Sequence, residues 1–182
     1  MTSIVGISGS LRRGSFNTNL LGAASEALPD GATLTIHSIA EIPLYNGDVE
    51  SAEGVPQAVA AIKDAIANAD GLLISTPEYN NSLPGVLKNA VDWLSRPNND
   101  VPRVFGNKPT AIMGASPGGF GTVLAQAAWL PVLRTLGTRY FTPKMLVSGA
   151  GKVFDDDGRL ADAAVRERLV KFLSDFVEFA RA

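Results

Sequence analysis

The chain has 182 residues, 46% hydrophobic and 19% charged, with a net charge of −2 and no Cys. That length buries a full core and reads as one domain spanning residues 1–182, since lone domains commonly run about 100–200 residues. Without Cys there are no disulfides, no thiolate metal site, no Cys nucleophile and no sulfur-linked cofactor, and a near-balanced charge without long blocks gives no nucleic-acid footprint.

Short apolar runs alternate with longer amphipathic stretches along the chain. Residues 4–8 (IVGIS) read as a buried strand, and residues 18–28 as a helix with Leu20, Leu21, Ala24 and Leu28 on one face. Residues 33–39 alternate like a strand, and Val55 to Asn68 is helical through Val55, Val59, Ile62 and Ile66. GLLIST at 71–76 is a continuous apolar run suited to a central parallel strand. A helix over 83–94 follows, with Pro84 in its first turn, then a strand over 109–115. A helix over 121–136 carries Pro131 as a kink and stops before Gly137, a C-cap glycine. A fifth strand falls within 140–148, and a last helix over about 160–180 has Val165, Leu169, Phe172, Leu173, Phe176 and Val177 as its buried stripe.

This alternation predicts an α/β fold, an open parallel sheet with helices on both faces, joined by right-handed crossovers. Ligands in such sheets bind outside the carboxyl ends of the strands, so the loops after strands 1, 3 and 4 should carry the unusual residues. They do. GSLRRGSFN at 9–17 brings Ser10, Arg12, Ser15 and Asn17 to a helix N-terminus, which suits a phosphate. A Walker loop is absent, and the glycines Gly6, Gly9 and Gly14 do not make the dinucleotide fingerprint. The second strand ends in His37 and Ser38 rather than in the acid that would grip an adenosine ribose. A mononucleotide with a terminal phosphate survives. The loop from Thr76 offers Pro77, the flat face of Tyr79, and the amides of Asn80 and Asn81, which match a flavin ring with one apolar flank and one hydrogen-bonding edge. In GASPGGFGT at 114–122, three glycines in four positions let the backbone approach a flat ligand, with Ser116 capping the loop or reaching the ring.

Through GSLRRGSFN, PEYNNSLPGVLKNAVDWLSRP and SPGGFG the sequence resembles the NAD(P)H-dependent FMN reductase family, on the quinone and chromate reductase branch. The resemblance implies a flavodoxin-like doubly wound sheet of five strands in the order 2-1-3-4-5, with one non-covalent FMN per subunit. Ser10, Arg12, Ser15 and Asn17 are then expected to hold the FMN phosphate, within a cradle that also takes in Ser8, Gly9, Leu11, Arg13, Gly14 and Phe16. Pro77, Glu78, Tyr79 and Asn80 line the isoalloxazine, and Ser116, Gly118 and Gly119 close its other side. NADPH or NADH is the implied hydride donor, and a quinone, free flavin, chromate or azo compound the small-molecule acceptor. The implied assembly is a homodimer or homotetramer.

Hydride chemistry of this kind belongs to the cofactor, so no catalytic acid, base or metal is assigned. The competing reading is a flavodoxin-type electron carrier without nicotinamide turnover, against which the lack of acidic clusters counts. Thr122 and the apolar AAWLP at 127–131 depart from the family pattern, and Trp93 and Trp129 fit either a subunit contact or the core. Tyr45 fits a surface turn or the border of a neighbouring subunit's acceptor pocket, and DDDGR at 155–159 a solvated turn. The N-terminus shows no basic region followed by a long apolar segment, and no apolar run approaches the ~18–20 residues of a membrane span, so a soluble cytoplasmic protein without membrane insertion is expected.

Overall fold

The continuous apolar runs form the middle of a parallel sheet in a computed structural model that describes residues 1–182. Strands β1 (Thr2–Ser8), β3 (Gly71–Ser75) and β4 (Pro109–Ala115) are buried almost throughout, because helices cover both faces. Strand β2 (Ala32–His37) lies at the edge and buries no residue fully. The order is β2-β1-β3-β4, with Ile4 of β1 opposite Leu34 on one side and Gly71 on the other. The fifth position is filled by two short pieces, β5 (Arg139–Tyr140) and β6 (Met145–Val147), both parallel to β4. The sequence reading placed one strand there. Pro143 lies in the gap, and without an N–H it cannot continue the ladder.

Two apolar layers hold the helices on. Helices α1 (Phe16–Glu26) and α7 (Ala163–Arg181) cover one face, where Leu20, Leu21 and Ala24 meet the Leu169–Phe176 stripe of α7. Helices α3 (Gln57–Asn68), α4 (Gly85–Leu94) and α6 (Val123–Thr135) cover the other, with the short α5 (Val101–Val104) below them. Trp93 and Trp129 are fully buried in this second layer. Their indole N–H groups donate to the Pro43 carbonyl at 3.0 Å and to Thr76 Oγ1 at 3.1 Å. The core reading of both tryptophans is therefore the one that holds.

Several boundaries moved for local reasons. Helix α1 starts at Phe16, two residues earlier than its apolar stripe, because Ser15 Oγ accepts from the N–H groups of Asn17 and Thr18. Pro84 precedes the first residue of α4 rather than lying within its first turn. Helix α6 runs through Pro131, and Gly137 follows its end at φ +73°, the left-handed conformation of a C-cap glycine. A further helix, α2 (Gly47–Glu53), begins where Asn46 caps Asp48 N–H at 2.9 Å; it buries nothing, so it left no apolar period to read. No helix is long and apolar enough to cross a membrane.

Candidate active site

The sheet delivers its three connecting loops to one rim, at the carboxyl ends of β1, β3 and β4. In the first loop, Arg12 donates to the Gly14 carbonyl at 3.1 Å and lies 5.5 Å over the Phe16 ring. That stacking turns the guanidinium across the head of α1. The backbone N–H groups of Arg13, Gly14 and Ser15 donate to nothing within the chain. Ser15 is only 3% exposed. Buried backbone donors are nearly always paired, so an unpaired N–H at a buried residue marks a place for an external acceptor.

Asn17 sits just behind this point, and its side chain is fully engaged. Its amide donates to the Ala115 carbonyl at 3.0 Å and accepts from Ala115 N–H at 3.0 Å and Ser75 Oγ at 3.1 Å. One buried amide thus ties α1 to the ends of β3 and β4. Its part in the rim is to lock the floor beneath the loop. Ser8 and Gly9 also serve the floor. Ser8 Oγ is 3.0 Å from Thr18 Oγ1, and Gly9 N–H donates to the Ser75 carbonyl at 2.8 Å. A Cβ on Gly9 would come within 2.7 Å of Leu87 and 2.9 Å of Pro77, so this close crossing needs glycine.

The second and third loops are joined by Glu78. Its carboxylate accepts from the N–H groups of Leu124 and Ala125 at 2.8 and 2.9 Å, capping α6 from across the rim. Tyr79 and Ser82 exchange backbone hydrogen bonds, with Asn80 at φ +50° and Asn81 at φ +62° forming the tight turn between them. Tyr79 is left about half exposed at the tip. Thr122, the departure from the family pattern, is fully buried over Gly114, where its hydroxyl meets Gln126 Nε2 at 3.2 Å.

Between the three loops lies a cavity of about 310 Å³, at the small end of the ~300–1,000 Å³ range of ligand sites. Of the expected residues, Ser10, Arg12, Ser15, Phe16 and Asn17 line one end, Pro77, Glu78 and Tyr79 the middle, and Ser116 the far wall. Ala115 and Pro117 also line it, and the sequence reading passed them over because an alanine and a proline carry no polar signal. Ser8, Leu11 and Arg13 line a neighbouring cavity instead. Gly9, Gly14, Asn80, Gly118 and Gly119 line neither, and shape the backbone around them. A larger groove of about 580 Å³ runs between the last turns of α4 and α6. Those helix ends lie toward the amino ends of the strands, the side of such a sheet where ligands do not bind.

Residues 2–152 match the family described as NADPH-dependent FMN reductase. The chain belongs to that family. Among its relatives, an NAD(P)H-dependent FMN reductase of Pseudomonas aeruginosa is 46% identical over 165 residues, covering 90% of this chain and 87% of the relative. A 2-hydroxy-1,4-benzoquinone reductase of a Burkholderia species is 40% identical, covering 95% and 93%. The solved structure of FerB, an NAD(P)H:(acceptor) oxidoreductase of Paracoccus denitrificans, superposes with a TM-score of 0.88 at 31% identity, covering 100% of this chain and 98% of that one. The flavodoxin-like order 2-1-3-4-5 is thus this family's fold in full. Tyr45, in the loop after β2, is half buried: its ring meets Trp93 edge-on at 5.0 Å and its hydroxyl donates to Glu50 at 2.8 Å. Glu50 therefore holds the Tyr45 phenol above its ordinary pKa.

Proposed function

We propose that residues 1–182 form one FMN-binding domain that acts as an FMN-dependent NAD(P)H oxidoreductase, reducing quinones, free flavin or comparable small acceptors. The observation that carries this reading is the cavity at the head of α1, with unpaired backbone donors at a buried Ser15 and a carboxylate-free arginine at one end. Those groups fit the phosphate of FMN, and the Pro77–Tyr79 segment with the Ser116 wall fits its flat ring. FMN supplies, when bound, a two-electron centre that takes hydride from NAD(P)H and gives electrons to the acceptor.

The chain's own part is positioning. Arg12 and the N–H groups of Gly14 and Ser15 hold a dianion at the positive end of α1. Asn17 keeps that helix head fixed to β3 and β4. Glu78 keeps the loop that carries Tyr79 against α6, so the ring wall does not drift. Free N–H groups in the 78–81 turn face no partner in the chain, and suit the edge of a ring on which negative charge collects.

We further propose that the chain assembles as a homodimer or homotetramer through the face of α4 and α6. Val86 on α4 and Leu124 and Leu130 on α6 are exposed apolar residues, with Phe120 beside them in the loop before α6. Exposed apolar surface gathered on one face marks an association site. Its place of work is the cytoplasm, where reduced nicotinamides are available.

The test is anaerobic mixing of the FMN-loaded protein with NADPH and with NADH, followed by a steady-state screen of quinone, FMN, azo dye and chromate. Bleaching of the yellow absorbance within seconds to minutes, and acceptor-dependent turnover, are expected. Persistent yellow colour with both nicotinamides sinks the enzyme reading and leaves an electron carrier. Arg12→Ala combined with Ser15→Ala is expected to weaken FMN binding tenfold or more.

A further inference from the structure

A second cavity, of about 290 Å³, adjoins the first on the β2 side of the rim. Arg12 and Arg13 form one wall, and His37 and Ser38, at the end of β2, form the other. Ser10 and Arg12 line both cavities, so the two are continuous along the strand ends. Three features of its chemistry stand out. Arg13 makes no hydrogen bond or ion pair within the chain, and lines this cavity without lining the first. No carboxylate lines the cavity. His37 is half buried, and its ring nitrogens have no partner.

Doubly wound nucleotide sites read the adenosine ribose at the end of the second strand. An acid there accepts the 2′-hydroxyl of NADH, whereas an arginine nearby accommodates the 2′-phosphate of NADPH. Here the position of the acid is held by His37 and Ser38, and two arginines face them. We infer that this cavity, through Arg13, His37 and Ser38, takes a ribose 2′-phosphate, and that it makes the protein select NADPH over NADH. The inference rests on the reductase reading above and adds to it the donor and the residues that choose it. The nicotinamide end lies over the first cavity, and the adenosine end reaches across the residue 10–12 turn to the β2 edge. The guanidinium of Arg13 pairs with the phosphate dianion in a charge-assisted, bidentate geometry. Ser38 marks the boundary where an acid would both repel that dianion and accept the 2′-hydroxyl of NADH.

The test uses FMN-loaded protein in two arms. In the first, isothermal calorimetry compares 2′,5′-ADP, 5′-ADP and inorganic phosphate. Binding of 2′,5′-ADP at least tenfold tighter than either of the others, lost in Arg13→Gln, is expected. Equal binding of the two nucleotides overturns the assignment, and phosphate binding as tight as 2′,5′-ADP assigns the cavity to phosphate alone and overturns it too. In the second arm, the ratio of the KM values for NADPH and NADH is measured. Arg13→Gln should raise that ratio tenfold or more, and Ser38→Asp should shift it further toward NADH. If Arg13 instead held FMN, both KM values and the FMN content would move together, and the ratio would stay constant. The calorimetric arm needs no turnover, so its outcome stands apart from that of the reductase reading.

Discussion

Glu78 offers the sharpest handle on how the rim is built. Its carboxylate receives two N–H donors of α6, from Leu124 at 2.8 Å and Ala125 at 2.9 Å. Hydrogen bonds to a charged group are worth about 1.5–3 kcal/mol each, but the freed donors of Glu78→Ala turn partly to water. Loss of a helix N-cap then costs about 0.5–2 kcal/mol, and loss of the favourable charge at the helix head about 0.3–1 kcal/mol. A total of about 2 kcal/mol corresponds to a Tm lower by about 4–8 °C for a chain of this size. Glu78→Gln keeps an acceptor oxygen and loses only the charge, so it should cost about a third as much. Thermal unfolding followed by circular dichroism, with and without FMN, reads both. FMN affinity should follow the same order, wild type above Gln above Ala, because the capped loop carries the Tyr79 wall. A Glu78→Ala protein with wild-type Tm and FMN affinity refutes the cap. Equal damage from Gln and Ala would mean that the charge acts on the flavin and not on the helix.

Asp100 should give a pH signature. It pairs with Arg103 at 2.6 Å and with the buried Lys63 at 2.7 Å, and Arg103 first and Lys63 second hold its carboxyl well below the ordinary 3.8. A lowered folded pKa stabilises the protein fully above the unfolded value and loses that stabilisation as pH falls toward the folded one. Asp100→Asn should therefore cost about 2 kcal/mol at neutral pH, with the gap to wild type closing only below about pH 4; a constant gap down to pH 2 in urea titrations contradicts this. At Gly114, an added Cβ would press into Thr122 Oγ1 and the Thr76 carbonyl. Gly114→Ala should lower stability by about 1–3 kcal/mol and weaken FMN binding by displacing the 116–122 loop, and unchanged urea midpoint and affinity would speak against that packing. Leu130→Glu should shift the oligomer toward monomer in analytical ultracentrifugation, and an unmoved sedimentation coefficient places the interface elsewhere.

Much of the scaffold was legible because each element carried a single clear period. Strands β3 and β4 are unbroken apolar runs, and α7 repeats its stripe over five turns. Helix α2 was illegible because it packs on nothing, and the divided fifth strand because a proline interrupts an otherwise ordinary β stretch. The rim's location followed from topology alone, since the loops after β1, β3 and β4 must meet. The jobs of particular side chains did not follow. Asn17 and Glu78 look like ligand-facing polar residues in a motif, yet their partners lie 98 and 46–47 residues away. No local spacing reports a bond of that reach. Arg13 shows the same limit: beside Arg12 it looked like part of one cradle, and only the fold turns the two toward different cavities.

The account depends on a phosphate held at the head of α1. Comparing FMN with riboflavin, which differs only in that phosphate, measures this directly by fluorescence quenching titration. Two charge-assisted hydrogen bonds at about 1.5–3 kcal/mol each, at ~1.4 kcal/mol per decade, predict that FMN binds at least 100-fold more tightly. Riboflavin binding as well as FMN would contradict the cradle and everything built upon it.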